Sequence, residues 1–251
     1  MAISVAAAFA AAASRASAAS FVVTTTTDAG PGTLRQAILD ADATPGADLA
    51  RFNIPGSGVR TIAVTSGPLP SVTEQLSIDG RTQPGFAGSP LVRVDNGTGS
   101  KPTGLNMLGS QSQVLGLEVT RFGVGVRIAA DNTVVARDLI GTDAAGAAGL
   151  SNTTGVRVAS GTGTRVGSTV AGGADTISGN STGVEIVGKS STATQVVGNL
   201  IGTDPTGVDL SDAGSSGNSL EGNSLGTDPG GTAALDSEGC AARTGSERCG
   251  H

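Results

Sequence analysis

The sequence predicts an all-β chain that folds as a parallel β-helix, a solenoid of short strands, with one short helix capping its amino-terminal end. Three observations lead to this prediction. The chain is rich in Gly and poor in aromatic residues, short apolar phrases recur at intervals of about 30 residues, and one amphipathic segment precedes them. A repeat of roughly that length, built from strands and turns, is typical of a solenoid.

The composition excludes a conventional aromatic core and two classes of partner. The 251 residues include 40 Gly and five Phe but no Trp or Tyr, so Val, Ile, Leu and Ala must fill the interior. The net charge is −6, without a long run of one sign. Because phosphate binding needs a clustered basic surface, we expect no nucleic-acid partner. We also expect no transmembrane segment, because no strongly apolar stretch of about 18 residues occurs.

Residues 1–20 are predicted to be a signal peptide or a disordered leader. A run of small apolar residues ends at Ala16-Ser17-Ala18, which fits the small-x-small pattern of a signal-peptidase site. No Lys or Arg precedes the apolar run, so a disordered Ala-rich leader is the alternative. The favoured interpretation is export, which places the protein outside the cell or on its surface.

A short helix is predicted next, over 33–43. Leu34, Ala37, Ile38 and Ala41 follow the i, i+3, i+4, i+7 spacing of one helix face, and Pro-Gly pairs stand on both sides. The first coil of a solenoid has an open core and an unpaired edge. We therefore expect this helix to cover that end.

The strands follow, first as single short runs and then as repeats. The runs "FNI", "RTIAV", "QLSIDG" and "LVRVDN" predict successive strands separated by turns. The phrase Gly-Val-x-Ile/Val then recurs at 125–128, 155–158 and 183–186, with spacings of 30 and 28 residues. Between these marks, 132–143 and 193–204 align with a shift of 61, or two repeats. Without helices between them, such units can stack only strand on strand.

The predicted domain limits follow from these repeats. The β-helix is expected over 21–231, and 232–251 is expected to be an irregular tail. The last repeat is worn, because "GSSGNSLEGNSLGTD" lacks the Gly-Val strand that is expected before it.

The runs "TTTDAGPGTLRQAILDADATPGAD", "FNIPGSGVRTIAV" and "VVGNLIGTDPTG" resemble secreted bacterial right-handed parallel β-helix proteins of the pectin-lyase-like superfamily with a CSLREA-like amino-terminal segment. The resemblance covers about residues 21–231, but the name-giving Cys is absent from "GPGTLRQAI" at 30–38. It implies a right-handed coil and a secreted or cell-surface location. Members of this family are typically of undetermined activity, so the resemblance implies no particular chemistry.

The recurrent Gly-Thr-Asp phrase supplies candidate site residues at Asp143, Asp204 and Asp228. Acid–base catalysis or Ca²⁺ binding needs carboxylates on adjacent coils, about 5 Å apart. Only Asp204 and Asp228 have that spacing, so they are weak candidates for a Ca²⁺ site. The favoured interpretation is structural, because Asp accepts the N–H groups of a turn and Gly supports a positive φ. We expect no catalytic residue and no cofactor.

Two further patterns are predicted to be structural or to solvate the surface. Asn199 and Asn223, with Asp138 as their counterpart, predict a ladder of side chains bonded along the solenoid. The arginines could form a basic strip for acidic glycans: Arg121, Arg127, Arg137, Arg157 and Arg165. Scattered charge is the favoured alternative, because Glu185 takes the place that follows Arg127 and Arg157.

The expected function is a non-catalytic, adhesin-like scaffold whose stacked faces bind extracellular polysaccharide or cell-surface glycan. The alternative is a carbohydrate-active enzyme on the pectin-lyase-like fold, either a polysaccharide lyase or a glycoside hydrolase. Carboxylates clustered on one outer face would favour the enzyme.

Overall fold

The computed structural model describes residues 17–147, 149–202, 204–211, 215–226 and 238–242. These residues form a parallel β-helix in which three parallel sheets run along the solenoid. This confirms the predicted fold class.

Each coil contributes one strand to sheet A, then one to sheet B and one to sheet C. Sheet A contains, in spatial order, β1 (Ser20–Val23), β2 (Asp48–Phe52), β4 (Leu76–Asp79), β7 (Gln113–Leu115), β10 (Val134–Ala136), β13 (Arg165–Gly167), β17 (Gln195–Val197) and β20 (Ser219–Glu221). Sheet B contains β3 (Arg60–Val64), β5 (Val92–Asn96), β8 (Glu118–Thr120), β11 (Leu139–Ile140), β14 (Thr176–Ile177), β18 (Leu200–Ile201) and β21 (Ser224–Leu225).

Sheet C contains β6 (Thr103–Met107), β9 (Val124–Ala129), β12 (Thr154–Thr162), β15 (Thr182–Ile186), β19 (Thr206–Leu210) and β22 (Glu238–Ala242), with β16 (Ser191–Thr192) beside β12. A short 3₁₀ helix, Gly80–Thr82, follows β4. Because sheet B has seven strands, the solenoid has about seven coils.

Aliphatic side chains stacked in register fill the interior. In sheet C the inward residues are Val126, Val156, Val184 and Val208, all fully buried. Each buried side chain packs against its equivalents one coil above and below, so β-branched residues of constant size fill a narrow core without large aromatic rings.

The Gly-Val phrases lie in adjacent coils, as their spacing predicts. The prediction that the last repeat lacks its Gly-Val strand is wrong, since Val208 stands in β19 directly beside Val184. That strand lies only 24 residues after its neighbour because no long loop interrupts the coil. β22 pairs with β19 and lies inside the segment 232–251.

Helix α1 (Leu34–Asp42) lies at the amino-terminal end, as predicted. Its N-cap is Thr33, whose Oγ1 accepts a hydrogen bond from the Gln36 N–H at 3.1 Å. The predicted face is the buried one: Leu34, Ala37, Ile38 and Ala41. The helix packs against β1 and β2, the first two strands of sheet A.

Residues 1–16 of the predicted leader lie outside the described residues, so the leader remains a prediction. Within the part of the chain that the structure describes, no helix is long and apolar enough to span a bilayer.

Candidate functional site

The Gly-Thr-Asp phrases do not place their aspartates equivalently. Asp143 lies in the long loop after β11, where its Oδ1 accepts hydrogen bonds from the N–H groups of Ala147 (3.0 Å) and Ala145 (2.9 Å). The bond from Ala147 is the largest cause that holds the pKa of Asp143 below its ordinary value, and partial burial opposes it. Asp143 is therefore the turn residue that the sequence predicts.

Asp204 lies instead at the corner between sheets B and C, and its carboxyl group faces the preceding coil. Its Oδ1 accepts a hydrogen bond from the N–H of Asn180 at 2.5 Å, so its partner is not its own loop, as the turn interpretation expects. The loop after Asp143 causes the difference, because it brings Asn152 to the corner in that coil. Asp228 lies outside the described residues, so a pair with Asp204 stays a prediction.

The corner between sheets B and C holds a ladder: Asn152, Asn180 and Asp204. Each side-chain oxygen accepts the N–H of the ladder residue one coil earlier, as from Asn152 N to Asn180 Oδ1 at 3.1 Å. The side-chain Nδ2 atoms of Asn152 and Asn180 donate to the carbonyl oxygens of Val119 and Ile140 at 3.0 and 3.1 Å. An Asn at this corner therefore satisfies backbone groups on two strands of the coil before it.

A second ladder follows the corner between sheets A and B: Asp138, Asp175, Asn199 and Asn223. It confirms the predicted ladder and adds Asp175, which accepts from the N–H of Asp138 at 2.9 Å. The Asp175 N–H donates in turn to Asn199 Oδ1 at 3.0 Å. Sequence reasoning missed Asp175 because the loop over 168–174 stretches this coil and hides the repeat.

The three ladder carboxyl groups of Asp138, Asp175 and Asp204 are buried, and each keeps one oxygen without a hydrogen-bond donor. Burial raises the pKa of both Asp175 and Asp204 to about 7. Burial, together with the charge of Asp175, raises the pKa of Asp138 well above its ordinary value. When protonated, each group can donate to the carbonyl oxygen that Asn reaches in other coils. These carboxyl groups are thus structural and sealed from any ligand.

The outer face of sheet B carries a charged cluster that sequence reasoning missed. Arg93 on β5 bonds Glu118 Oε2 through Nε at 2.5 Å and reaches Asp143 Oδ2 through Nη2 at 3.3 Å. Beside it, Arg121 forms a two-pronged ion pair with Asp95. Arg93 thereby holds the loop of Asp143 over Glu118, whose side chain is only 1% exposed. Burial raises the pKa of Glu118, and the bond to Arg93 opposes that shift.

A groove of about 420 Å³ lies next to this cluster, between the turn at 64–68 and the turn at 96–102. Asn96 joins the two features, because it follows Asp95 and its Nδ2 donates to the carbonyl oxygen of Arg121 at 3.0 Å. Asn96 also shapes one wall, since its Oδ1 accepts from the Thr98 N–H and hydroxyl at 3.2 and 2.9 Å.

The other wall of the groove is fixed from the capping helix. Arg35 on α1 donates to the carbonyl oxygens of Gly67 (2.8 Å) and Pro68 (2.6 Å) and pairs with Asp28 at 2.8 Å. Asp28 Oδ2 accepts from the N–H groups of Thr65 and Ser66. Burial would raise the pKa of Asp28, but these hydrogen bonds and that of Arg35 lower it below its ordinary value. Both walls are therefore pre-organised.

Lys101 lines this groove and is exposed to solvent. Among the described residues, no carboxylate lies within ion-pair distance of its ammonium group. The nearby Arg93 and Arg121 are instead neutralised by carboxylates. The groove therefore offers a positive charge among hydroxyl and amide groups.

The predicted alignment of Arg127, Arg157 and Glu185 is confirmed on sheet C. Arg157 pairs with Glu185 at 2.9 Å, and Arg127 donates to Asn106 Oδ1 at 3.0 Å. The remaining arginines of the predicted strip lie elsewhere, in sheet A (Arg165), after β10 (Arg137) and in the sheet B cluster (Arg121). The surface charge is thus mixed rather than a basic strip.

Within the described ranges, no group of three or more His, Cys, Asp or Glu side chains is arranged to hold a metal ion. No protein-family model matches the chain, and no curated protein matches it. The fold and this surface define the class of protein as a β-solenoid.

Proposed function

We propose that the chain is a secreted or cell-surface scaffold, an adhesin-like module, whose groove beside sheet B binds extracellular polysaccharide or cell-surface glycan. The observation that carries this proposal is Lys101, a charged side chain in a polar groove without a carboxylate partner among the described residues. The location is supported by the small-x-small phrase at 16–18.

The shape of the groove favours a polymer over a small molecule. It is an open channel between two turns, and hydrogen bonds within the protein already fix both of them. Binding to a pre-organised surface costs little conformational entropy. A lysine recognises a carboxylate as a point charge, so the structure favours polymers that contain uronic acids. The absence of Trp and Tyr leaves no large ring for a sugar to stack on, and binding is weak.

The test is affinity electrophoresis in gels that contain alginate, polygalacturonate or neutral dextran. The two acidic polymers should retard the native protein, and added salt should weaken the retardation because it screens exposed charges. Lys101→Gln should lower the association constant severalfold. The matched control is Lys189→Gln, which removes the same charge from an exposed turn after sheet C. Unretarded migration in both acidic gels, or equal losses in the two variants, would contradict the proposal.

The alternative function is a carbohydrate-active enzyme, and Glu118 is the observation that favours it. A carboxyl group of raised pKa on an outer face can act as a general acid. However, Glu118 is covered by Arg93, whose guanidinium is held by two carboxylates. A substrate would have to displace both Arg93 and the loop of Asp143 to reach it, so the structure favours binding over cleavage.

A further inference from the structure

Asp48 is a buried carboxylate at the start of β2 whose bonding is incomplete. It is only 2% exposed. Its Oδ1 accepts a hydrogen bond from the backbone N–H of Ala19 at 2.7 Å, whereas its Oδ2 has no hydrogen-bond partner. A buried carboxylate is costly unless a cation pairs with it or a proton neutralises it.

Other coils show that a neutral side chain is sufficient at this corner between sheets C and A. Ser112 Oγ accepts the N–H of Leu76 at 3.1 Å, one coil earlier. Asn218 Oδ1 accepts the N–H of Thr194 at 2.8 Å in the same manner. Asp48 therefore differs from these residues in bringing a charge and a second oxygen, which a backbone N–H alone does not satisfy.

The partner of Asp48 stands directly after the predicted signal-peptidase phrase Ala16-Ser17-Ala18. Ser17 and Ala18 are exposed, Ala19 is half-buried, and the sheet begins at the next residue. The carbonyl oxygen of Ala19 accepts from the N–H of Leu49 at 2.9 Å, so Ala19 is already fixed beside β2. The bond between Ala18 and Ala19 thus marks the point where the chain enters the fold.

We infer that the chain is cleaved between Ala18 and Ala19, and that the new amino terminus forms a buried ion pair with Asp48. The inference rests on the export half of the proposed function. Water adds to the Ala18 carbonyl carbon and the C–N bond breaks, which leaves the Ala18 carboxylate and an Ala19 amine that is protonated at neutral pH. The ammonium nitrogen stands where the amide nitrogen stood, and its additional N–H groups can reach Asp48 Oδ2.

This pairing would stabilise the mature protein more than its precursor. The amino terminus would be tied to β2 by a charge-assisted bond only after the leader is removed. Sequences that begin elsewhere, or that carry further residues before Ala19, would leave Asp48 Oδ2 without a partner.

The first test follows the full chain in a secreting bacterial host. The intact mass of the protein in the medium should correspond to residues 19–251. A secreted protein that begins at another residue would overturn this inference alone. A full-length chain that remains in the cell would overturn both the inference and the proposed location.

The second test measures the ion pair by thermal unfolding of proteins that begin at Ala19 or at Ser17, each with Asp48 or with Asp48→Asn. The protein that begins at Ser17 is the matched control, since it keeps a free amino terminus but moves it by two residues. With Asp48 present, the protein that begins at Ala19 should melt higher by about 3 °C. Asp48→Asn should remove this difference. Equal melting temperatures for the two Asp48 proteins, or a difference that persists with Asn, would overturn the pairing.

Discussion

At the scale of single residues, the position in the coil decides the state of a carboxyl group. Asp143 accepts two N–H groups of its own loop and has a lowered pKa. Asp204 stands in the same Gly-Thr-Asp phrase but is sealed in a corner, where burial raises its pKa to about 7. The identical phrase therefore produces an ionised turn residue in one coil and a neutral ladder residue in another.

Asp175 gives the clearest test of this ladder chemistry. Burial raises its pKa to about 7 in the folded protein, against 3.8 for an ordinary Asp, so the folded protein holds a proton that the unfolded chain releases. Stability is present in full below about pH 4 and is lost as pH rises towards 7, on the order of 4 kcal/mol for this shift. Asp175→Asn should remove this loss, because Asn fills the same place at Asn199.

Thermal unfolding between pH 4 and pH 8 measures the effect. The variant should melt higher than the native protein at pH 8 and show a flatter dependence on pH. Glu74→Gln, which removes one carboxylate from an exposed site, is the control and should leave the dependence unchanged. A native-like pH profile in Asp175→Asn would show that this carboxyl group is not protonated in the fold.

At the scale of elements, strands keep their register while loops change the length of each coil. Val126 lies 21 residues after its partner Leu105, but Val156 follows Val126 by 30. Each insertion leaves the solenoid at a corner, so the stacked strands are undisturbed. The longest coil separates Leu139 from Thr176, and its additional loop explains why the sequence repeat is hardest to see there.

The capping helix provides a prediction at this scale. Leu34 and Ile38 are fully buried against the first coil, so the double variant Leu34→Asp, Ile38→Asp would place two unpaired charges in the core. We expect the cap to detach and the exposed edge to cause association or misfolding. Light scattering and circular dichroism measure both effects.

Leu39 lies on the same helix but is 47% exposed, so Leu39→Asp is the matched control and should remain a native-like monomer. If the double variant were also a monomer with an unchanged β-sheet spectrum, the helix would not be a cap.

At the scale of the whole molecule, the sequence was sufficient for features that repeat and insufficient for features that depend on loops. The Gly-Val phrases predict the stacked strands, and the spacing around Leu34 and Ile38 predicts the capping helix. The burial of Glu118 could not be predicted, because it depends on Arg93 and on a loop from the next coil. The partner of Asp48 lies 29 residues away along the chain, and only the register of β1 and β2 brings the two together.

The same limit applies to the candidate site. The sequence could offer only the repeated aspartates, whereas the groove arises where two turns from successive coils meet. Lys101 acquires its importance from what surrounds it, since the neighbouring arginines are paired and it is not.

The central claim is that this surface binds polysaccharide without cleaving it, and incubation with acidic polymers tests it most directly. Purified protein is mixed with alginate or polygalacturonate, with calcium or with a chelator, and the formation of unsaturated uronate and of new reducing ends is followed. We predict that neither product forms under either condition, because Glu118 is covered and the ladder carboxyl groups are sealed from solvent. Product that accumulates with the native protein and is lost in Glu118→Gln would contradict the claim and establish an enzyme.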